Sequence, residues 1–131
     1  PVGREISLKA QLNGMYVAAQ DAGNQPLIAN RGAAGGWEKF TVVSVRTGVV
    51  ALKATANGKY VTLATSDQLV ANSTTIGAAQ EFEWVDLGSG DFALKYLATG
   101  KYVSVPGSST PLVVNATSIG VAETFRSLSH P

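Results

Sequence analysis

Hydrophobic and polar residues alternate along this chain in short runs broken by turn residues. From Glu5 to Ala10 the apolar Ile6, Leu8 and Ala10 fall on one face, with Ser7 and Lys9 on the other. That is the period of a half-buried strand. Asn13-Gly14 follows and predicts a tight hairpin turn with positive φ at both central positions, which Asn and Gly tolerate cheaply. Met15-Tyr16-Val17 begins the returning strand. The same phrase returns from Leu52-Lys53 to Asn57-Gly58-Lys59-Tyr60-Val61, and from Leu94-Lys95 to Thr99-Gly100-Lys101-Tyr102-Val103. A polar loop follows each hairpin (20–26, 64–68 and 106–111), then a short apolar strand beginning at Leu27, Leu69 or Leu112. No stretch has the period of a convincing amphipathic helix.

A second stretch carries the same repeat. LIANRGAAGGWEKF, LVANSTTIGAAQEF and LVVNATSIGVAETF place Asn at 30, 72 and 115, Gly at 35, 77 and 120, and Phe at 40, 82 and 125, in steps of 42 or 43 residues. The chain is therefore three copies of one unit, near residues 5–46, 47–89 and 90–128 of a single domain spanning 1–131. Four short strands per unit make about twelve. A three-bladed propeller closes poorly, and a sandwich does not explain the threefold repeat. The expected fold is all-β, a β-trefoil: a six-stranded barrel capped by three hairpins, with pseudo-threefold symmetry. Residues that return in every copy belong to its core, with Leu8, Leu52 and Leu94 lying over Phe40, Phe82 and Phe125. Trp84, two residues beyond Phe82 on the same strand face, is expected to pack in the core or at the barrel end. Tyr16, Tyr60 and Tyr102 also return, and read as structural.

Composition narrows the function. Hydrophobic residues make up 45% of the 131 and charged residues 15%, the balance of a globular chain. Ten Lys and Arg offset nine Asp and Glu without a basic run, which argues against nucleic-acid and acidic-membrane partners. Cysteine is absent, removing disulfides, thiolate catalysis and cysteine zinc sites. No apolar run approaches the roughly 18 residues of a membrane span. A chain starting at Pro1 reads as a mature or excised product. Neither a metal nor a cofactor is expected.

The phrases ISLKA-x-LNGMYVAAQ, PLIANR and GGWEKF resemble the fascin-like β-trefoil repeat over about residues 5–128. That repeat occurs in animal actin-bundling fascins and in carbohydrate-binding modules appended to bacterial glycoside hydrolases, which this chain is closer to in texture. The Gln-x-Trp signature of ricin-type trefoil lectins is missing, because Gln80-Glu81-Phe82 has Phe in third place. His130 is the single histidine, unlike the His-rich hisactophilin-like trefoils. The resemblance implies a secreted, lectin-like module, monomeric or one part of a larger enzyme. It also implies a neutral glycan ligand of glucan or galactan type and up to three shallow sugar sites, each with an aromatic ring and a carboxylate. The alternative it leaves open is a fascin-like actin-binding or protein-interaction scaffold.

Only the first unit carries that pair in full, as Trp37 and Glu38, with Arg31 nearby; the aligned residues are Ala79 and Gln80, then Ala122 and Glu123. A pyranose needs a flat apolar ring beneath its C–H face and planar groups for its hydroxyls. Trp37 supplies the first, and Glu38 with Arg31 the second. The competing reading has Trp37 packed sideways on the barrel mouth, with Glu38 paired to Lys39 or Arg31. Asn30, Asn72 and Asn115 are candidates for ligand contact, or for capping their own backbone as Asx-turns. The first unit is expected to bind best, the third weakly through Glu123, and the second, with Gln80, least. Asn72-Ser73-Thr74 and Asn115-Ala116-Thr117 fit the N-glycosylation triplet, but they fall on the repeat frame and read as coincidence. An enzyme is not expected. His130 is penultimate, and Glu38, Glu123 and Asp67, the carboxylates available for glycoside hydrolysis, sit on different units.

Overall fold

Each alternating run has one apolar face to bury, and twelve such strands bury theirs together. The computed structural model describes residues 3–130; Pro1, Val2 and Pro131 lie outside them. Unit 1 contributes β1 (Glu5–Ala10), β2 (Tyr16–Ala19), β3 (Leu27–Arg31) and β4 (Phe40–Arg46). Unit 2 contributes β5 (Val49–Ala54), β6 (Tyr60–Leu63), β7 (Leu69–Ser73) and β8 (Phe82–Gly88). Unit 3 contributes β9 (Asp91–Tyr96), β10 (Lys101–Ser104), β11 (Val113–Ala116) and β12 (Phe125–His130). The helical segments among the described residues are five short 3₁₀ turns.

Antiparallel pairing runs β1–β4–β5–β8–β9–β12 and returns to β1, closing a six-stranded barrel with no free edge. The hairpins β2–β3, β6–β7 and β10–β11 extend from β1, β5 and β9. The chain is a β-trefoil, and its units match in register. Leu8, Leu52, Leu94, Phe40, Phe82 and Phe125 are all buried, as their threefold recurrence predicts.

The core is not threefold in volume. The positions after the Phe residues hold Val42, Trp84 and Ser127, while β1, β5 and β9 hold Ile6, Val50 and Phe92. Trp84 stacks on Phe92 with ring centroids 3.8 Å apart, so two large rings share one side of the barrel end. The small Ser127 in the following unit accommodates them.

The hairpin turns differ from the two-residue turn that Asn-Gly predicts. Gly14 donates to the Ala10 carbonyl and Ala10 to the Met15 carbonyl, so the loop holds four residues. Gly58 and Gly100 repeat the first bond to Ala54 and Tyr96. Only the glycine takes positive φ, +68° at Gly14. The Asn works through its side chain: Asn13 Oδ1 accepts from the Met15 N–H, and Nδ2 donates to the Ala29 carbonyl. Asn57 does the same with Lys59 and Ala71. Each of these tips is thereby tied to its partner strand, and the Asx-turn belongs here rather than at Asn30, Asn72 or Asn115.

Those three Asn have another position in common. Tyr16 pairs with Arg31 and Val17 with Ala29, so Asn30 is the extra residue of a β-bulge. Asn72 and Asn115 are skipped in the same way between β6 and β7 and between β10 and β11.

Candidate functional site

A 3₁₀ turn precedes the fourth strand of every unit: Gly36–Glu38, Ala78–Gln80 and Val121–Glu123. Its third residue bends back on the glycine before the turn. Glu38 Oε1 accepts from the Gly35 N–H at 2.7 Å, Gln80 Oε1 from Gly77 at 2.6 Å, and Glu123 Oε1 from Gly120 at 2.7 Å. The backbone returns the bond, since the N–H of each third residue reaches the glycine carbonyl. This is the reach-back half of a capping box, which a carboxylate and an amide make equally well. Glu38 and Gln80 are consequently buried, at 6% and 8% exposure.

The second polar atom of that side chain distinguishes the units. Gln80 Nε2 donates to Thr62 Oγ1 at 3.1 Å, and Ser104 Oγ donates to Glu123 Oε2 at 2.6 Å. Thr62 and Ser104 stand two residues after the recurring tyrosine, where unit 1 has Ala18. Without a hydroxyl there, Glu38 Oε2 faces Arg31 Nε at 3.7 Å. Arg31 is held further by Asn30 Oδ1 at 2.5 Å and by Gln20 Oε1 at 2.8 Å. Its guanidinium lies over the Trp37 ring, 5.8 Å from the centroid, within cation–π range.

Trp37 is 38% exposed, against complete or near-complete burial of the recurring Phe residues. The structure thus brings Asn30, Arg31, Trp37 and Glu38 together on one face of unit 1, with Glu38 as the buried support. Gln80 and Glu123 occupy the equivalent support positions, separated from one another by the threefold arrangement. Asn72 and Asn115 are exposed bulge residues beside them. Ala79 and Ala122 stand where unit 1 has its indole, and Ser73 and Ala116 where it has Arg31.

One participant carries no signal in the sequence. Gln20 sits in the polar loop, and nothing in its spacing tied it to Arg31. The cap itself was visible as Gly-x-x-Glu/Gln at one place in all three units. Recurrence marks a structural duty for this side chain as firmly as it does for Phe40.

Comparison with known proteins agrees with this architecture. No curated protein matches the chain. Among solved structures, a designed three-fold symmetric protein, ThreeFoil, is similar over 95% of this chain and 97% of its own length, with a TM-score of 0.83 and 24% identity. At that identity the likeness establishes the fold alone. The FRG1-like domain matches residues 14–127, nearly the whole of the three units. What that match supports is the trefoil scaffold, a coarser conclusion than the fascin-like carbohydrate-binding resemblance drawn from the repeat phrases. On the closed six-stranded barrel, the three capped units and that match together, the chain belongs to the FRG1-like domain family.

Proposed function

We propose that this protein is a non-catalytic, lectin-like carbohydrate-binding module that takes a neutral glycan on one face of unit 1. The observation that carries the reading is the inequality of three otherwise equivalent turns. All three are capped identically, but only the first projects an indole, 38% exposed, beside an arginine clamped by Asn30, Gln20 and Glu38. An open ring beside preorganised planar donors suits the C–H face and hydroxyl rim of a pyranose. Trp37, Arg31 and Asn30 are the contact residues in this reading, and Glu38 positions Arg31. Gln80 and Glu123 have their polar atoms occupied by the scaffold, which favours one dominant site over three. A glucan or galactan unit, whose hydroxyls are all or mostly equatorial, fits such a surface. Attached to a secreted polysaccharide-degrading enzyme, the module would raise that enzyme's effective concentration on its substrate.

The test is a glycan array followed by titration of the best ligand into the wild type and Trp37→Ala. A stacked aromatic at a hot spot contributes on the order of 1–3 kcal/mol, so its loss should weaken binding roughly 5- to 150-fold. Undiminished affinity in a folded Trp37→Ala protein would move the site elsewhere. Actin co-sedimentation without binding to any glycan would replace this reading with the fascin-like scaffold.

A further inference from the structure

At two junctions between units, a concavity lies between the hairpin turn and the ends of two barrel strands. At the junction of units 3 and 1 it measures about 260 Å³, and its charged lining residues are Lys9, Asp91 and Arg126. Its counterpart between units 1 and 2 is about 390 Å³, with Glu5 and Lys53 as charged lining.

The lysine recurs as Lys9, Lys53 and Lys95, and its cross-strand partner decides the charge of each junction. Lys53 stands opposite Thr41, and Lys95 opposite Glu83. Lys9 stands opposite Arg126. Directly opposed residues share a face at close range, and like charges there are destabilising. Asp91 relieves this in part, accepting from Arg126 Nε at 3.0 Å. Lys9 Nζ lies 5.9 Å from the Tyr16 ring centroid. Two cations therefore line this concavity with one carboxylate, where its counterpart has one cation and one carboxylate.

We propose that the cleft between units 3 and 1 is an oxyanion site, receiving the carboxylate, sulfate or phosphate group of a small ligand between Lys9 and Arg126. A bound oxyanion would sit between the two opposed side chains, with Arg126 presenting the terminal nitrogens that Asp91 leaves free and Lys9 its ammonium. The site shares no lining residue with the Trp37 face, although Lys9 and Arg31 stand on either side of Tyr16 in the register of β1, β2 and β3.

Amide-resolved NMR titration with sodium phosphate, sodium sulfate and sodium glucuronate, against sodium chloride at constant ionic strength, tests this. Saturating shifts confined to the Lys9–Gly14 turn and the strands around Asp91 and Arg126 are expected, with dissociation constants in the millimolar range. Arg126→Thr, which copies the residue found at Thr41, should raise that constant at least tenfold while keeping the folded spectrum; Lys9→Gln serves as the second variant. Thr41→Arg should create a matching site at Lys53, and Trp37→Ala should leave the original one unchanged. Tighter binding of phosphate and sulfate would identify a tetrahedral dianion as the natural group, and tighter binding of glucuronate a sugar carboxylate. Shifts that stay linear and match chloride, or that persist undiminished in folded Arg126→Thr and Lys9→Gln proteins, would overturn the proposal.

Discussion

At the residue scale, the third position of the 3₁₀ turn separates stability from binding. Gln80 Oε1 accepts from the Gly77 N–H and Nε2 donates to Thr62 Oγ1, and the side chain is buried. Gln80→Ala leaves the glycine N–H without its acceptor and opens a small gap. The expected cost is about 1–2 kcal/mol, the usual worth of a lost cap, read as a lower midpoint in urea unfolding. Trp37→Ala, two-fifths exposed and outside the core, should move that midpoint little. A Gln80→Ala protein as stable as the wild type would show that the turn needs no cap. Tyr96 makes a second prediction. It is 5% exposed and packs against Phe82 with centroids 5.7 Å apart, and burial raises its phenol above the ordinary value of 10.0. The unfolded chain therefore loses this proton first. The associated stability is intact below the ordinary tyrosine range and declines as pH climbs through it. Tyr96→Phe should flatten the alkaline loss of thermal stability relative to the wild type, and identical alkaline profiles would exclude Tyr96 as its source.

At the element scale, the loops that follow the hairpins lock neighbouring units. Gly23, with φ of +94°, lies against the hairpin tip of unit 2, and a β-carbon there would fall inside the Asn57 amide. That amide cannot swing away freely, because it holds the Ala71 carbonyl and the Lys59 N–H. Gly23→Ala combines backbone strain with a displaced tip and should cost on the order of 1–3 kcal/mol, seen as a cooperative drop in thermal midpoint. An unchanged midpoint would mean that the tip repacks without loss. This contact also shows where the sequence was legible. Strands and repeat were readable because burial on one face imposes a period of two, and because symmetry repeats each core choice three times. Local turn geometry was less so: Asn13-Gly14 promised a two-residue turn, yet Asn13 spends its side chain as a tether, a choice that depends on Ala29 arriving from the next strand. The bulges at Asn30, Asn72 and Asn115 were hidden for the same reason, since a bulge is a property of two strands. Of the candidate site, Trp37 and Arg31 stood out by failing to recur. The pairing of Glu38 with Arg31 was legible as an alternative to ligand contact, and the cap it makes with Gly35 is marked by Gln80 and Glu123 at the same place in the other units.

At the scale of the whole molecule, pseudo-threefold symmetry supplies its own control for the glycan reading. Three equivalent turns share one backbone frame and one cap, so the difference between a binding face and a plain one should reside in a few side chains. Unit 2 already has Asn72 at the place of Asn30. Thr62→Ala removes the hydroxyl that occupies the cap residue, and Gln80→Glu restores the carboxylate that unit 1 turns toward its arginine. Ser73→Arg, Ala64→Gln and Ala79→Trp then supply the counterparts of Arg31, Gln20 and Trp37. None of these side chains belongs to the shared core of Leu and Phe residues, so the barrel has no reason to change. Calorimetric titration of this variant with the glycan that binds the wild type should raise the stoichiometry from one site to two with similar affinity at each. Adding Trp37→Ala to the same variant should return it to one, now in unit 2. A folded variant that still binds at a single site, abolished by Trp37→Ala, would mean that contacts outside the turn and its bulge determine recognition. The face around Trp37 would then be one part of a larger surface rather than a unit that symmetry can copy.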